Sequence, residues 1–232
     1  MMIGSGLLAR AFAPNYANQD NVCIYAAGVS NSACRDPHEF EREHTRLSEA
    51  LRQHADVKTF VYFGTCSVAD PEAQATPYVQ HKLAMEALVR SHPQHLILRL
   101  PQVAGHTPNP HTLLNHLYAR ISRSESFTLW QNARRNIIDV DDVAAVARYF
   151  IDTSDARKLT LNIANEISYP LPEIVAALER VTGKRAIFDT EPRGSGYSID
   201  IAAIRPALGV AGVKFGPNYL DRVLDKYYGK HD

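Results

Sequence analysis

The chain has 232 residues, 45% hydrophobic and 22% charged, the make-up of a globular protein with one domain and a lobe. Its 25 basic and 25 acidic residues cancel, so no net charge steers it to nucleic acid or to an anionic membrane. The three cysteines, Cys23, Cys34 and Cys66, have no Cys-x-x-Cys spacing, which argues against a disulfide framework or a zinc site and fits a reducing, cytoplasmic setting; nor is there a signal pattern at Met1-Met2-Ile3-Gly4 or an apolar run near the ~18 residues of a membrane span.

Met1 to Ile3 is a short apolar start, followed by Gly4-Ser5-Gly6 and a helical stretch from Leu7 to Phe12 that Pro14 is expected to end. Val22 to Ala27, closed by Gly28, reads as a buried strand. Pro37 to His54 is polar and helical, with Phe40, Leu47 and Leu51 on its apolar face. Thr59 to Phe63, closed by Gly64, is a second strand. Pro77 to Arg90 is helical with Pro at its first position, and His95 to Leu100 is a strand stopped by Pro101. Strands alternating with helices predict a parallel sheet covered on both faces, joined by right-handed crossovers. After Gly105 the texture changes to a segment rich in Pro, His and Asn. A helix follows from Leu117 to Ile121, then a strand edge and helix within Ile137 to Ile151, a strand from Leu159 to Ile163 and an amphipathic helix from Pro170 to Thr182. The expected dinucleotide-binding core is 1–105 with 136–164, and the expected substrate lobe is 106–135 with 165–232.

Gly4-Ser5-Gly6-Leu7-Leu8-Ala9 is a G-x-G-x-x-A pattern between a strand and a helix. The first glycine permits the tight turn, the second lets backbone approach a pyrophosphate, and the small third residue lets helix and strand pack closely. The helix N-terminus supplies unpaired N–H groups. The acidic ribose reader expected about 20 residues on is missing. Asp20 precedes the next strand, and there is no room for the second and third strands of the usual fold. Their loss leaves the first strand at the sheet edge, where a homodimer seam could form, and leaves NAD and NADP undistinguished.

Tyr78-Val79-Gln80-His81-Lys82 puts Tyr and Lys on one helix face. An ammonium there favours the phenolate and makes Tyr78 a usable acid or base. Thr65 or Ser67, after the Thr59 strand, could hold a substrate oxygen.

Taken together, Phe60 to Val68, the glycine turn and Pro77-Tyr78-Val79-Gln80-His81-Lys82-Leu83-Ala84-Met85-Glu86 resemble the extended, sugar-nucleotide branch of the short-chain dehydrogenase/reductases. Leu98 to Gly105 is similar to that family's Arg-x-x-Asn-Val-Tyr-Gly-Pro, and Arg135 to Ala144 to its Arg-Asp-Phe-Ile-His-Val-Asp-Asp-Val-Ala. Leu161-Asn162-Ile163-Ala164 and Tyr197 to Leu208 resemble its later segments. The resemblance implies an α/β fold with a shortened Rossmann-type parallel sheet of about five strands and a small C-terminal substrate lobe. It implies catalysis by Thr65, Tyr78 and Lys82, with Lys82 also holding the nicotinamide ribose. It implies NAD or NADP bound by Gly4, Ser5, Gly6, Leu7, Leu8, Ala27, Gly28, Lys82, Pro101, Gln102 and Val103, and a nucleoside-diphosphate sugar bound by Ser67, Asn109 and Arg135. The implied activity is reduction or epimerisation of a nucleotide-linked sugar in surface-polysaccharide synthesis. Dehydration usually draws on an Asp-Glu pair where Cys66 and Ser67 stand. Ala69 and Asp70 replace Tyr-Gly after Val68, and Gln102 replaces Asn.

His106, His111 and His116 are five apart in a Pro-containing segment, unlike a helical metal pair, so no metal is expected. Trp130 is expected in the lobe core, Cys66 as an inert buried thiol, Arg134 as a solvated neighbour and Arg10 as a plain helix-surface residue. The rival reading is a non-catalytic nucleotide-sensing or partner-binding protein, suggested by the missing strands and opposed by the intact Thr65, Tyr78 and Lys82.

Overall fold

The computed structural model describes residues 1–153 and 158–229; positions 154–157 and 230–232 of the expected core and lobe lie outside them. The elements are β1 (Met2–Ile3), α1 (Leu7–Tyr16), β2 (Val22–Tyr25), α2 (Pro37–Gln53), β3 (Thr59–Thr65), α3 (Pro77–Val89), β4 (His95–Leu100), β5 (Gln102–Ala104) and α4 (Leu113–Ser122). Then come β6 (Phe127–Trp130), β7 (Arg134–Asp139), α5 (Val140–Asp152), β8 (Leu159–Asn162), β9 (Ser168–Pro170), α6 (Leu171–Thr182), β10 (Phe188–Glu191), α7 (Arg205–Val210) and α8 (Tyr219–Tyr228). No helix among the described residues is long and apolar enough to cross a membrane.

Five strands form one parallel sheet in the order β1-β2-β3-β4-β8. Two small sheets, β10-β6 and β5-β7-β9, flank it. The alternation of side chains along each strand divides the core in two. Val22, Ile24, Val61, Phe63, Leu96 and Leu98 point to the face that packs Phe12 and Tyr16 of α1 with Val143, Val146 and Phe150 of α5. Cys23, Tyr25, Phe60, Tyr62 and Ile97 point to the other face, under Leu47 and Ala50 of α2 and Met85 and Val89 of α3. A third cluster joins α4, α6 and α8 beside the sheet.

This packing overrides the crossover rule at one joint. The steps β1 to β2, β2 to β3 and β3 to β4 run in the same direction across the sheet, yet α1 covers one face while α2 and α3 cover the other. The first crossover is therefore of opposite hand to the next two. With those two in the usual right-handed sense, the first is left-handed. The chain makes it through residues 17–21, between Tyr16 and Val22.

Three boundaries differ from the sequence expectation. Pro14 does not end α1, which runs to Tyr16 with the proline inside its last turns. Burial of Phe12 and Tyr16 holds that turn in place, each ring stabilising by about 1.5–3 kcal/mol, and the Tyr16 hydroxyl donates to Asp152 at 2.9 Å. Gly64 lies within β3, and a Cβ there would sit 2.6 Å from Glu86 Oε1. The glycine makes room for buried Glu86, which accepts two hydrogen bonds from the Arg99 guanidinium, at 2.8 and 2.7 Å. The helix α4 starts at Leu113, four residues early, because the Thr112 side chain caps it by accepting from Asn115 N–H at 3.3 Å.

Gly4 shows why the turn needs glycine. Its φ is +122°, and a Cβ would lie 2.4 Å from the Ala26 carbonyl oxygen. The Gly4→Ala variant is expected to lose at least about 1–3 kcal/mol of stability, read from the midpoint of denaturant unfolding. An unchanged midpoint would mean that the turn has another conformation.

Candidate active site

The C-terminal ends of the parallel strands open into one cleft of about 530 Å³, where parallel α/β sheets place their ligands. Ser5 to Leu8 form one wall. Tyr25 and Ala26 stand at the end of β2, Gly64 and Thr65 at the end of β3, and Leu100 and Pro101 at the end of β4. Tyr78 and Lys82 come from the first turns of α3, which starts there because the Thr76 side chain caps it and Pro77 takes its first position. Arg135 on β7 and Asn109 in the loop before α4 complete the rim.

The sequence-expected residues are largely brought together. Thr65, Ser67, Tyr78, Lys82, Ser5, Gly6, Leu7, Leu8, Gly28, Pro101, Gln102, Val103, Asn109 and Arg135 all line this cleft. Gly4 and Ala27 lie just behind the wall, where Gly4 packs on Ala26 and Ala27. The Gly6 N-cap of α1 has open space where a Cβ would be, and Ser5 to Leu8 bring the N-terminus of α1 to the cleft wall. That arrangement fits a pyrophosphate.

Thr65 and Tyr78 line the cleft together, as do Ser67 and Tyr197. Tyr78 is buried. Burial, then the charge of Glu43, hold its phenol well above the usual range, against a smaller opposing pull from Thr65. Against the expected lowering by Lys82, the net direction is upward, and the Lys82 ammonium is itself paired.

That pairing is with Glu43, which the sequence reading passed over. Glu43 is 1% exposed. Its Oε1 accepts from Tyr62 OH at 2.8 Å and Lys82 Nζ at 3.1 Å. Its Oε2 accepts from Val29 N–H at 2.6 Å and lies 2.9 Å from His81 Nε2. Lys82 Nζ also donates to the Tyr62 hydroxyl at 3.0 Å. Burial alone raises the Glu43 carboxyl, but Lys82, His81, Val29 N–H and Tyr62 outweigh it and bring it down to about 2. An ionised carboxylate only accepts, so His81 carries its proton on Nε2. Gly28 admits the pair, since a Cβ there would lie 2.7 Å from both Glu43 Oε1 and Lys82 Nζ. The signal was in the sequence: Glu43 falls on the apolar stripe of α2 with Phe40, Leu47 and Ala50.

The minor expectations divide. Cys66 is buried, and burial pushes its thiol up to about 12. Trp130 packs against the cluster of α4, α6 and α8, with Arg193 5.0 Å from its ring centroid. Arg10 departs from a plain surface role. It lines the cleft and donates to the carbonyls of Ser5, at 3.2 Å, and His106, at 2.7 Å. Arg134 is exposed and donates to the Ser168 carbonyl. No group of three or more potential metal ligands occurs among the described residues.

A family model described as the NAD dependent epimerase/dehydratase family matches residues 8–164. No curated protein sequence matches the chain. Among solved structures, the chain is similar to a UDP-glucuronic acid 4-epimerase from Bacillus cereus in complex with UDP-glucuronic acid and NAD, at 20% identity and a TM-score of 0.71, covering 90% of this chain and 74% of that one. It is similar to RMD from Pseudomonas aeruginosa complexed with NADPH, at 18% identity and a TM-score of 0.66, covering 88% and 79%. It is also similar to a dTDP-glucose 4,6-dehydratase from Bacillus anthracis in complex with NAD, at 14% identity and a TM-score of 0.69, covering 90% and 71%. Likeness at these identities establishes a common fold.

Proposed function

The chain belongs to the NAD dependent epimerase/dehydratase family, and on that premise we propose that it is an NAD(P)-dependent enzyme that reduces or epimerises a nucleoside-diphosphate sugar, in the synthesis of surface polysaccharide. The observation that carries the reading is the convergence of Thr65, Tyr78 and Lys82 on the same cleft as Ser5 to Leu8 at the N-terminus of α1. Tyr78 would exchange a proton with the reacting sugar oxygen, and Thr65 would hold that oxygen in line.

The residues present fit a nicotinamide dinucleotide. Ser5 to Leu8 would hold its diphosphate, Lys82 its nicotinamide ribose and Pro101 to Val103 its nicotinamide end. When bound, it supplies or accepts a hydride. Among the described residues β1 pairs with β2 alone, and Arg10 is engaged with Ser5 and His106. No strand tip stands beside β1 to read the adenosine ribose, so the proposal covers both NAD and NADP. Segments 106–135 and 165–232 form the substrate side in this reading, with Ser67, Asn109 and Arg135 on the sugar nucleotide.

Calorimetric titration with NAD, NADH, NADP and NADPH tests it. Micromolar binding of at least one is expected. Binding of none would move the nucleotide-sensing or partner-binding reading ahead. A second expectation concerns Arg135, whose planar fork suits a diphosphate. Arg135→Ala should raise KM for the sugar nucleotide about 10- to 100-fold, the value of a charge-assisted hydrogen bond, with cofactor affinity unchanged. An unaltered KM would remove Arg135 from the substrate site.

A further inference from the structure

The segment between β5 and α4 is tied to the core at two points. The Arg10 guanidinium of α1 donates to the His106 carbonyl at 2.7 Å, and the His106 ring stands edge-on to Tyr227 of α8, with centroids 5.0 Å apart. Three residues on, the Asn109 side-chain amide donates to the Ser30 hydroxyl, in the turn after β2, at 3.2 Å. Arg10, Ser30, Thr107, Pro108 and Asn109 all line the cleft. Residues 106–109 therefore reach from one cleft wall to another.

Asn115, in the first turn of α4, holds the segment on that path. Its Nδ2 donates to the carbonyls of Thr107 and Asn109, both at 2.8 Å, and its Oδ1 accepts from the Tyr228 hydroxyl of α8 at 2.7 Å. Only the NH2 end of an amide can meet two carbonyls, so its orientation is fixed and Tyr228 is the donor. The Tyr118 ring packs on Tyr228, with centroids 5.0 Å apart. Asn109 is oriented in the same way. Its Oδ1 accepts from His111 N–H at 3.0 Å, which leaves its NH2 end for Ser30. Pro108 and Pro110 fix φ on both sides of Asn109, so the segment moves as one piece. We propose that Asn115 is a positioning residue that holds 106–109 as a strap across the cleft, latched at Ser30, and that this strap sets how fast the dinucleotide enters and leaves. The inference rests on the reading of the cleft as a dinucleotide site.

The wall of Ser5 to Leu8 lies at the Arg10 end of the strap, and Gly28 and Val29 lie at the Ser30 end. A dinucleotide with its diphosphate on Ser5 to Leu8 would sit between them, and the strap must lift to release it. The latch is made of protein groups alone, so it closes with or without a ligand beneath it. Opening then precedes entry as well as exit. Weakening the latch raises the open fraction and speeds both steps by the same factor, which leaves Kd unchanged. Loss of a residue that touches the cofactor acts differently, because it speeds exit alone.

Stopped-flow mixing with NADH or NADPH, followed by nicotinamide fluorescence, reads the two rate constants separately. In Ser30→Ala both are expected to rise about 2- to 10-fold, the worth of one hydrogen bond, with Kd unchanged. Asn115→Asp keeps the outline of the side chain but loses both donors and sets a carboxylate against two carbonyl oxygens, so both constants should rise more than about 10-fold. Faster exit with unchanged entry in Ser30→Ala overturns the latch, because Ser30 would then be a ligand contact. Unchanged rates in Ser30→Ala overturn it too, and that arm decides whether or not Asn115→Asp folds. Hydrogen exchange of the protein without cofactor gives a second reading. Amides of 106–116 should exchange faster in both variants than in wild type, with β3 and β4 unaltered. If no dinucleotide binds to any of the three proteins, the reading of the cleft fails. If 106–116 exchanges equally in all three, the strap fails.

Discussion

Tyr78→Phe is expected to turn over a nucleotide-linked keto-sugar about a hundred- to ten-thousand-fold more slowly than the parent protein, the usual worth of a positioned acid or base. The substitution removes one oxygen and keeps the ring, which packs with Val29 and Val79. Stability should therefore hold within about 2 °C of Tm, and cofactor affinity should hold too. The loss should fall on kcat and kcat/KM together, because the proton moves only in the transition state. Steady-state rates followed by reduced-nicotinamide absorbance, with a thermal melt alongside, separate this from misfolding. Near-normal turnover would take Tyr78 out of the mechanism.

Lys82→Met should act on stability as strongly as on rate. It leaves Glu43 buried without its main cation, and removing one partner of a buried ion pair costs about 3–5 kcal/mol. The pH dependence has a defined sign. Glu43 is depressed from 4.5 in the unfolded chain to about 2 in the fold, so it binds protons more readily when unfolded. Its contribution, about 3 kcal/mol, is complete above the unfolded value and is lost as pH falls from there to about 2. In Lys82→Met the folded value rises, and the part that depended on pairing disappears at neutral pH as well. Denaturant midpoints measured near pH 7 and near pH 3 should differ clearly for wild type and much less for the variant. Equal acid sensitivity in the two proteins would mean that Lys82 does not set the state of Glu43.

What could be read from the chain beforehand follows from which interactions are local. Thr65, Tyr78 and Lys82 sit at fixed offsets within one strand and one helix turn, and Gly4-Ser5-Gly6 within one turn, so their spacing, read with the family resemblance, brought them forward. The five parallel strands were visible as short apolar runs between helices. Glu43 was hidden because its partners are distant in sequence: Tyr62 lies 19 residues on, His81 38 and Lys82 39. A carboxylate on an otherwise charged helix looks solvated until the stripe through Phe40, Leu47 and Ala50 is given weight. The length of α1 was misjudged because Pro14 was weighed by local propensity, whereas Tyr16 is held by contacts to α5. The hand of the first crossover depends on which face α1 packs, which no local pattern carries.

That reversed joint separates two jobs usually fused in such sheets. The glycine turn and α1 keep their place in the cleft wall, although the chain then leaves toward the opposite neighbour. The irregularity is absorbed by the five residues 17–21, at the far end of α1 from the cleft, and the tips of β3 and β4 that carry Thr65 and Pro101 are untouched by it. In the proposed function, phosphate cradling and catalysis would thus form a self-sufficient unit. Reading the adenosine end is an accessory that the architecture can lack, or regain at its open margin, without shifting an atom of the reacting centre.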